Sequence, residues 1–202
     1  VRKIDIDPKA KGLIFDIDGT ICDTMPVHYI AMRDTVAEYG IDFTTKLFQD
    51  LAGIPAIRIC EMLKDMFNKD FDPVEVGNKK ESEYERNMHK AGIVEPVVDL
   101  IKKYHGKIPM ACGTGGGRNL AWRALEIAGV KDCFEHIVCA DDVSNFKPHP
   151  ETFLKAAELI GVAPVECQVF EDGKLGIEAA INGGMMATDV TEFYTISIGK
   201  EF

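Results

Sequence analysis

The sequence predicts an α/β fold: a doubly wound parallel sheet, Rossmann-like in its core, with a small α-helical cap domain inserted after the first strand. Three observations predict it. Short apolar segments without polar alternation recur along the chain and end in polar or glycine residues, the pattern of strands buried on both faces. Helical periodicities separate these segments, as a parallel sheet covered by helices requires. One stretch, from about Val27 to about Ile93, breaks the alternation and carries helical patterns alone.

Taken in order, Gly12 to Ile17 is the first strand. The insert follows, with Tyr29, Met32, Val36 and Tyr39 forming a stripe that Gly40 ends, and with a helix from Val74 to Ala91 that Gly92 ends. Ile108 to Thr114 is the second strand, and only a short helix around Leu120 to Ala128 fits before the third, His136 to Ala140. Phe153, Ala156, Ala157 and Ile160 then share one helix face before Gly161 stops the turn. Cys167 to Glu171 and Met185 to Val190 complete the strands. Residues 1–25 and 95–202 are thus expected to form the core, and residues 26–94 the cap. The insert leaves the sheet at the C-terminal edge of the first strand, where open parallel sheets bind their ligands.

Composition narrows the function classes. A chain of 202 residues with 46% hydrophobic and 28% charged residues can bury a core, so disorder is disfavoured. No apolar run approaches the ~20 residues needed to span a bilayer, and the N-terminal VRKIDIDPKA is too charged for a secretory leader. A cytoplasmic protein without a membrane partner is expected. The formal net charge of −10 opposes nucleic-acid binding, which depends on lysine and arginine neutralising phosphates. A monomer acting on a small molecule is the expectation. Six cysteines without a Cys-x-x-Cys pair read as reduced core thiols, not a zinc or redox site.

Chemistry concentrates where strands end. The first strand runs into Asp16-Ile17-Asp18-Gly19-Thr20, and two carboxylates so close need a cation or a shared proton. Mg²⁺ fits, because it takes oxygen ligands and retains waters and phosphate oxygens. The second strand runs into Thr114-Gly115-Gly116-Gly117-Arg118, a hydroxyl and free backbone N–H groups suited to phosphate. It is neither a dinucleotide fingerprint nor a P-loop. Lys147, in Phe146-Lys147-Pro148-His149-Pro150, is a positive point on a stiffened turn. Glu171-Asp172-Gly173 places a second acidic pair at the same sheet edge, and two such pairs facing one crevice point to bound Mg²⁺.

Asp16-x-Asp18-Gly19-Thr20, Thr114, Lys147 and Glu171-Asp172, in that order, resemble the four motifs of the haloacid dehalogenase-like hydrolase superfamily across nearly the whole chain. The helical insert resembles the cap of the β-phosphoglucomutase-like branch, and the motif spelling is similar to that of its bacterial fructose-1-phosphate phosphatases. The resemblance implies that Asp16 is the nucleophile, that Asp18 is the acid and base, and that Thr114, Gly115 and Lys147 hold the transferring phosphoryl group. It further implies that Asp16, Asp18, Asp172 and Glu171 serve the Mg²⁺ site. Among the insert's charges, His28, Arg58 and Lys79 are the candidates for touching substrate, His28 because relatives carry histidine twelve residues after the first aspartate. Two functions fit these motifs: a phosphatase acting on a small phosphorylated metabolite such as fructose 1-phosphate, and a β-phosphoglucomutase. Thr20 favours hydrolysis, since mutase relatives often carry an aliphatic residue there. A receiver domain shares the residue types, but its phosphoacceptor follows a later strand and it has no use for the insert.

Overall fold

The computed structural model describes residues 3–51 and 54–195. Its central sheet holds β1 (Gly12–Phe15), β4 (Met110–Gly113), β5 (Ile137–Val138), β6 (Cys167–Glu171) and β7 (Met186–Asp189), in the order β5-β4-β1-β6-β7. Every pairing is parallel; Leu13, for example, sits opposite Met110 on one side and Gln168 on the other. Consecutive β1 residues face opposite sides of a sheet. Leu13, Ile14 and Phe15 are nonetheless all fully buried, which is why the strand shows no polar alternation.

Helices α5 (Glu95–Tyr104), α6 (Arg118–Ile127), α7 (Glu151–Leu159) and α8 (Lys174–Asn182) connect these strands. One core cluster joins Ile14, Ala111 and Val169 of the sheet to Phe153 and Ala156 of α7 and Ala179 of α8. Phe15 stacks on Phe170 at 4.8 Å between centroids and meets Phe134 edge-on at 5.9 Å. Such aromatic pairs add about 0.5–1.5 kcal/mol beyond their area burial.

The described residues divide into two compact units, one of residues 3–23 and 92–195, the other of residues 24–51 and 54–91. The second contains α1 (Met25–Ala37), α2 (Thr45–Asp50), α3 (Ala56–Phe67) and α4 (Pro73–Asn87). It has its own core of Tyr29, Met32, Val36, Phe43, Leu63 and Val76. Local chemistry sets its turns: Gly40 takes φ +67° after α1, and Asn68 adopts the left-handed conformation that ends α3. The carboxylate of Asp72 accepts the Val74 N–H at the start of α4, and the Thr44 hydroxyl accepts that of Leu47 at the start of α2.

Two local expectations require correction. Gly92 does not stop a helix; α4 ends at Asn87 and a short 3₁₀ turn covers Met88–Lys90. Gly92 instead belongs to β3 (Gly92–Ile93), which pairs antiparallel with β2 (Cys22–Asp23). Two-residue strands are too short to show a period in sequence. Sheet strands other than β6 are also shorter than their apolar runs, because flanking residues turn into the site loops. No helix among the described residues is long and apolar enough to cross a membrane.

Candidate active site

At the C-terminal edge of the sheet, β1 delivers Asp16, whose backbone N–H still donates to Phe170 O at 3.0 Å. That bond holds the first acidic motif against β6, which itself ends in Glu171. The chain then turns at Gly19, where φ is +85° and an added Cβ would collide with the Asp172 carboxylate. Glycine is therefore required there by both conformation and space. Thr20, buried behind it, donates its hydroxyl to Asp172 Oδ1 at 3.1 Å.

Asp16, Glu171 and Asp172 each place a carboxylate oxygen within 4.8 Å of the others. Lys147 answers them from the loop before α7, its Nζ 2.7 Å from Asp16 Oδ1 and 2.8 Å from Glu171 Oε1. The loop is itself braced, since Glu151 accepts the backbone N–H groups of Ser144 and Asn145, and Asn182 donates to Pro148 O. Bonds from Lys155, Ser144 and Asn145 draw the Glu151 carboxyl down to about 2. A cation–π contact adds to these bonds, Lys147 Nζ lying 4.6 Å from the centroid of the Phe153 ring.

Three carboxylates against one ammonium leave the cluster short of positive charge. Burial raises the Asp16 carboxyl well above its ordinary value, Lys147 opposes this, and Glu171, Asp172 and Asp18 reinforce it. Burial and Glu171 likewise push Asp172 up to about 7, against the Thr20 bond and Lys147. Burial works against the charge on Lys147, yet Asp16 and Glu171 raise its pKa above the ordinary lysine value. An all-oxygen donor set with excess negative charge, in a crevice that raises carboxyl pKa values, fits a hard dication such as Mg²⁺.

Thr114 closes β4, buried, with its N–H donating to Val138 O at 2.9 Å. Its hydroxyl accepts the Gly116 N–H at 3.0 Å, so one side chain organises the glycine turn. Space beside Gly115 and Gly117 is open. A hollow of about 340 Å³ adjoins the turn, lined by Gly117, Arg118, Asn119, Leu120 and Asp141. Asp18 projects toward the same turn, its Oδ2 3.4 Å from where a Cβ on Gly116 would stand, and it lies outside the three-carboxylate group. The core candidates therefore gather at one sheet edge.

Within the helical unit, His28 lies on α1 with its ring stacked on Tyr84 of α4, centroids 3.8 Å apart and planes 9° from parallel. Its Nδ1 is 2.8 Å from Nζ of Lys80, which is buried and also meets Glu81 at 3.0 Å. Arg58 and Lys79 are instead in exposed ion pairs with Glu61 and Glu38. Sequence reasoning missed Lys80, although a signal existed: Val76, Lys80 and Tyr84 recur every four residues, which puts Lys80 on the buried stripe of α4 and its neighbour Lys79 off it.

The cysteines are core thiols. Five of the six are buried, Cys133 is half-buried, and burial raises each pKa, that of Cys22 to about 12.

Comparison with known proteins agrees with this geometry. The chain is 41% identical over 180 residues to fructose-1-phosphate phosphatase YqaB of Escherichia coli, covering 89% of this chain and 95% of that protein. It is 29% identical over 185 residues to a phosphorylated carbohydrates phosphatase of Thermotoga maritima, covering 87% and 82%. In structure it resembles β-phosphoglucomutase from Clostridium difficile with a TM-score of 0.76 and 28% identity, covering 89% of this chain and 84% of that one. A haloacid dehalogenase-like hydrolase model matches residues 10–184. The chain belongs to the haloacid dehalogenase-like hydrolases.

Proposed function

We propose that the protein is a Mg²⁺-dependent phosphatase of a small phosphorylated metabolite, a sugar phosphate such as fructose 1-phosphate, working through an aspartyl-phosphate. The observation that carries this reading is the convergence of Asp16, Glu171 and Asp172 from the ends of β1 and β6 with Lys147 from the loop before α7, Lys147 bridging Asp16 and Glu171. The similarity to fructose-1-phosphate phosphatase over nearly both full lengths supports the substrate class.

In this mechanism a carboxylate oxygen of Asp16 attacks phosphorus, and the bond from phosphorus to the ester oxygen breaks. Asp18 gives its proton to the departing alkoxide. Water then attacks the phosphorus of the aspartyl-phosphate, Asp18 takes the water's proton, and the bond from phosphorus to Asp16 breaks to release phosphate. Thr114 and the N–H groups of the turn at Gly115 hold phosphoryl oxygens, while Lys147 offsets charge on Asp16 and on the transferring group. Asp16, the backbone carbonyl of Asp18 and Asp172, with Glu171 in support, would hold Mg²⁺, which supplies positive charge to the phosphoryl oxygens when bound.

The helical unit is inserted directly after the segment bearing Asp16 and Asp18, a connectivity that supports a cap role. His28 is its first candidate for contacting substrate, with Arg58 and Lys79 behind it. Hydrolysis is favoured over isomerisation by Thr20 and by the phosphatase names of the two relatives described above. The test is phosphate release with Mg²⁺ across sugar phosphates, polyol phosphates and nucleotides, with glucose 6-phosphate measured separately when β-glucose 1-phosphate is supplied. Selective release from a sugar phosphate supports the reading. Glucose 6-phosphate formation with little free phosphate overturns it.

A further inference from the structure

Within the described residues the chain passes between its two units at Asp23–Thr24 and at Ala91–Gly92. Both crossings adjoin the two-residue ladder of β2 and β3, in which Cys22 pairs with Ile93 and Asp23 with Gly92. So short a ladder is weak by itself. One side is anchored by the Cys22 thiol, which lies 3.1 Å from Ala124 O of α6, and by the Val94 N–H, which donates to Ile21 O at 3.0 Å.

Asp23 is the exception in this arrangement. Its side chain is buried, with 6% of the residue exposed, and Oδ1 has no hydrogen-bond partner among the described residues. Oδ2 accepts the phenol O–H of Tyr194 at 2.8 Å, across 171 positions of sequence. A buried carboxylate with one oxygen bare depends heavily on the bond its other oxygen makes. Tyr194 is placed for that task by the 3₁₀ turn Val190–Glu192 after β7, where its N–H donates to Val190 O at 3.2 Å.

We propose that Tyr194 is a positioning residue, its phenol latching the β2–β3 ladder through Asp23, so that the segment after β7 controls how readily that ladder opens. The phenol is a dependable donor, because burial and Asp23 push its pKa up to about 12. The other contacts described at the ladder are backbone pairing and a weak thiol bond, whereas this latch is a side-chain bond to a carboxylate. The inference rests on the fold and needs no particular substrate.

Hydrogen exchange of the full chain, read by mass spectrometry, tests it. Tyr194→Phe should speed exchange in peptides spanning 20–24 and 91–95 about tenfold, the loss of one bond to a charged acceptor, while β1 and β6 change less than about twofold. Unchanged exchange at the ladder, or equal acceleration throughout the core, overturns the proposal. An Asp23→Ala background closes the cycle: adding Tyr194→Phe there should do almost nothing, since the acceptor is gone. A further tenfold acceleration in that background would show that the phenol acts elsewhere, and the proposal would fall.

Discussion

Each unit of this chain holds a lysine largely out of solvent, and the two lysines are answered in opposite ways. Lys147 sits between Asp16 and Glu171, in a cluster with more carboxylates than one ammonium can neutralise. Lys80 lies beside the ring nitrogen of His28, with the Tyr84 ring 5.3 Å away and a single carboxylate, half-exposed Glu81. Removing one partner of a buried ion pair leaves charge stranded, whereas neutral and aromatic neighbours strand nothing. Lys147 therefore offsets part of the charge of an acidic cluster, and Lys80 is a packed member of a helical core.

The largest effect expected from this contrast is on turnover. Asp16→Asn keeps the shape of the site but removes the proposed nucleophile, so phosphate release should fall by at least ~10⁴-fold. Its melting temperature should equal or exceed that of the native protein, because one of the crowded carboxylates is gone. Normal phosphate release by a folded Asp16→Asn variant would remove Asp16 from the chemistry.

Next in size is the direct comparison of the lysines. Lys147→Met should cost about 3–5 kcal/mol without Mg²⁺, the usual result of stranding buried charge, and lower turnover by about 10²–10³-fold. Lys80→Met keeps the aliphatic stem and should change stability by less than about 1.5 kcal/mol. Denaturant unfolding of both variants in EDTA decides it. Equal losses would dissolve the distinction between the two lysines.

Acidity should act on the core's cluster as well. Asp172, raised to about 7 mainly by burial, holds its proton more tightly folded than unfolded. The folded state is thus favoured while the group is protonated in it, and stability declines as pH rises from about 4 to about 7. In EDTA the melting temperature should fall across that window, and saturating Mg²⁺ should restore it at pH 7. A metal-free curve that rises with pH there would contradict the assignment of strain to the carboxylates.

Legibility in the sequence follows the same physics. Asp16, Asp18, Thr114, Glu171 and Asp172 stand out in the sequence because each lies at the end of an apolar strand run, where polar groups are conspicuous, and Lys147 because prolines stiffen the turn that carries it. Lys80 could not be read as easily, because a lysine on a mostly polar helix looks like solvated surface until the stripe of Val76 and Tyr84 is traced through it. The β2–β3 ladder and the Tyr194 bond were illegible for another reason. Two residues show no period, and a contact between Asp23 and Tyr194 leaves no mark in either local sequence.

The smallest expected effects concern the insert's other cations. Arg58 bonds Glu61 one turn along α3, and Lys79 bonds Glu38, both in solvent where ion pairs contribute little. Arg58→Ala and Lys79→Ala should each leave the melting temperature almost unchanged. Their kinetics are the sharper measure, since a cation that binds substrate must first leave its carboxylate and would then add to affinity. If either residue binds the anionic substrate, its alanine variant raises KM severalfold with kcat unchanged, the mark of uniform binding. If both ion pairs are only surface chemistry, KM stays within about twofold and recognition by the helical unit falls to His28. His28→Ala should then raise KM by more than either variant, and should also unstack Tyr84, whose altered fluorescence would report the loss without substrate.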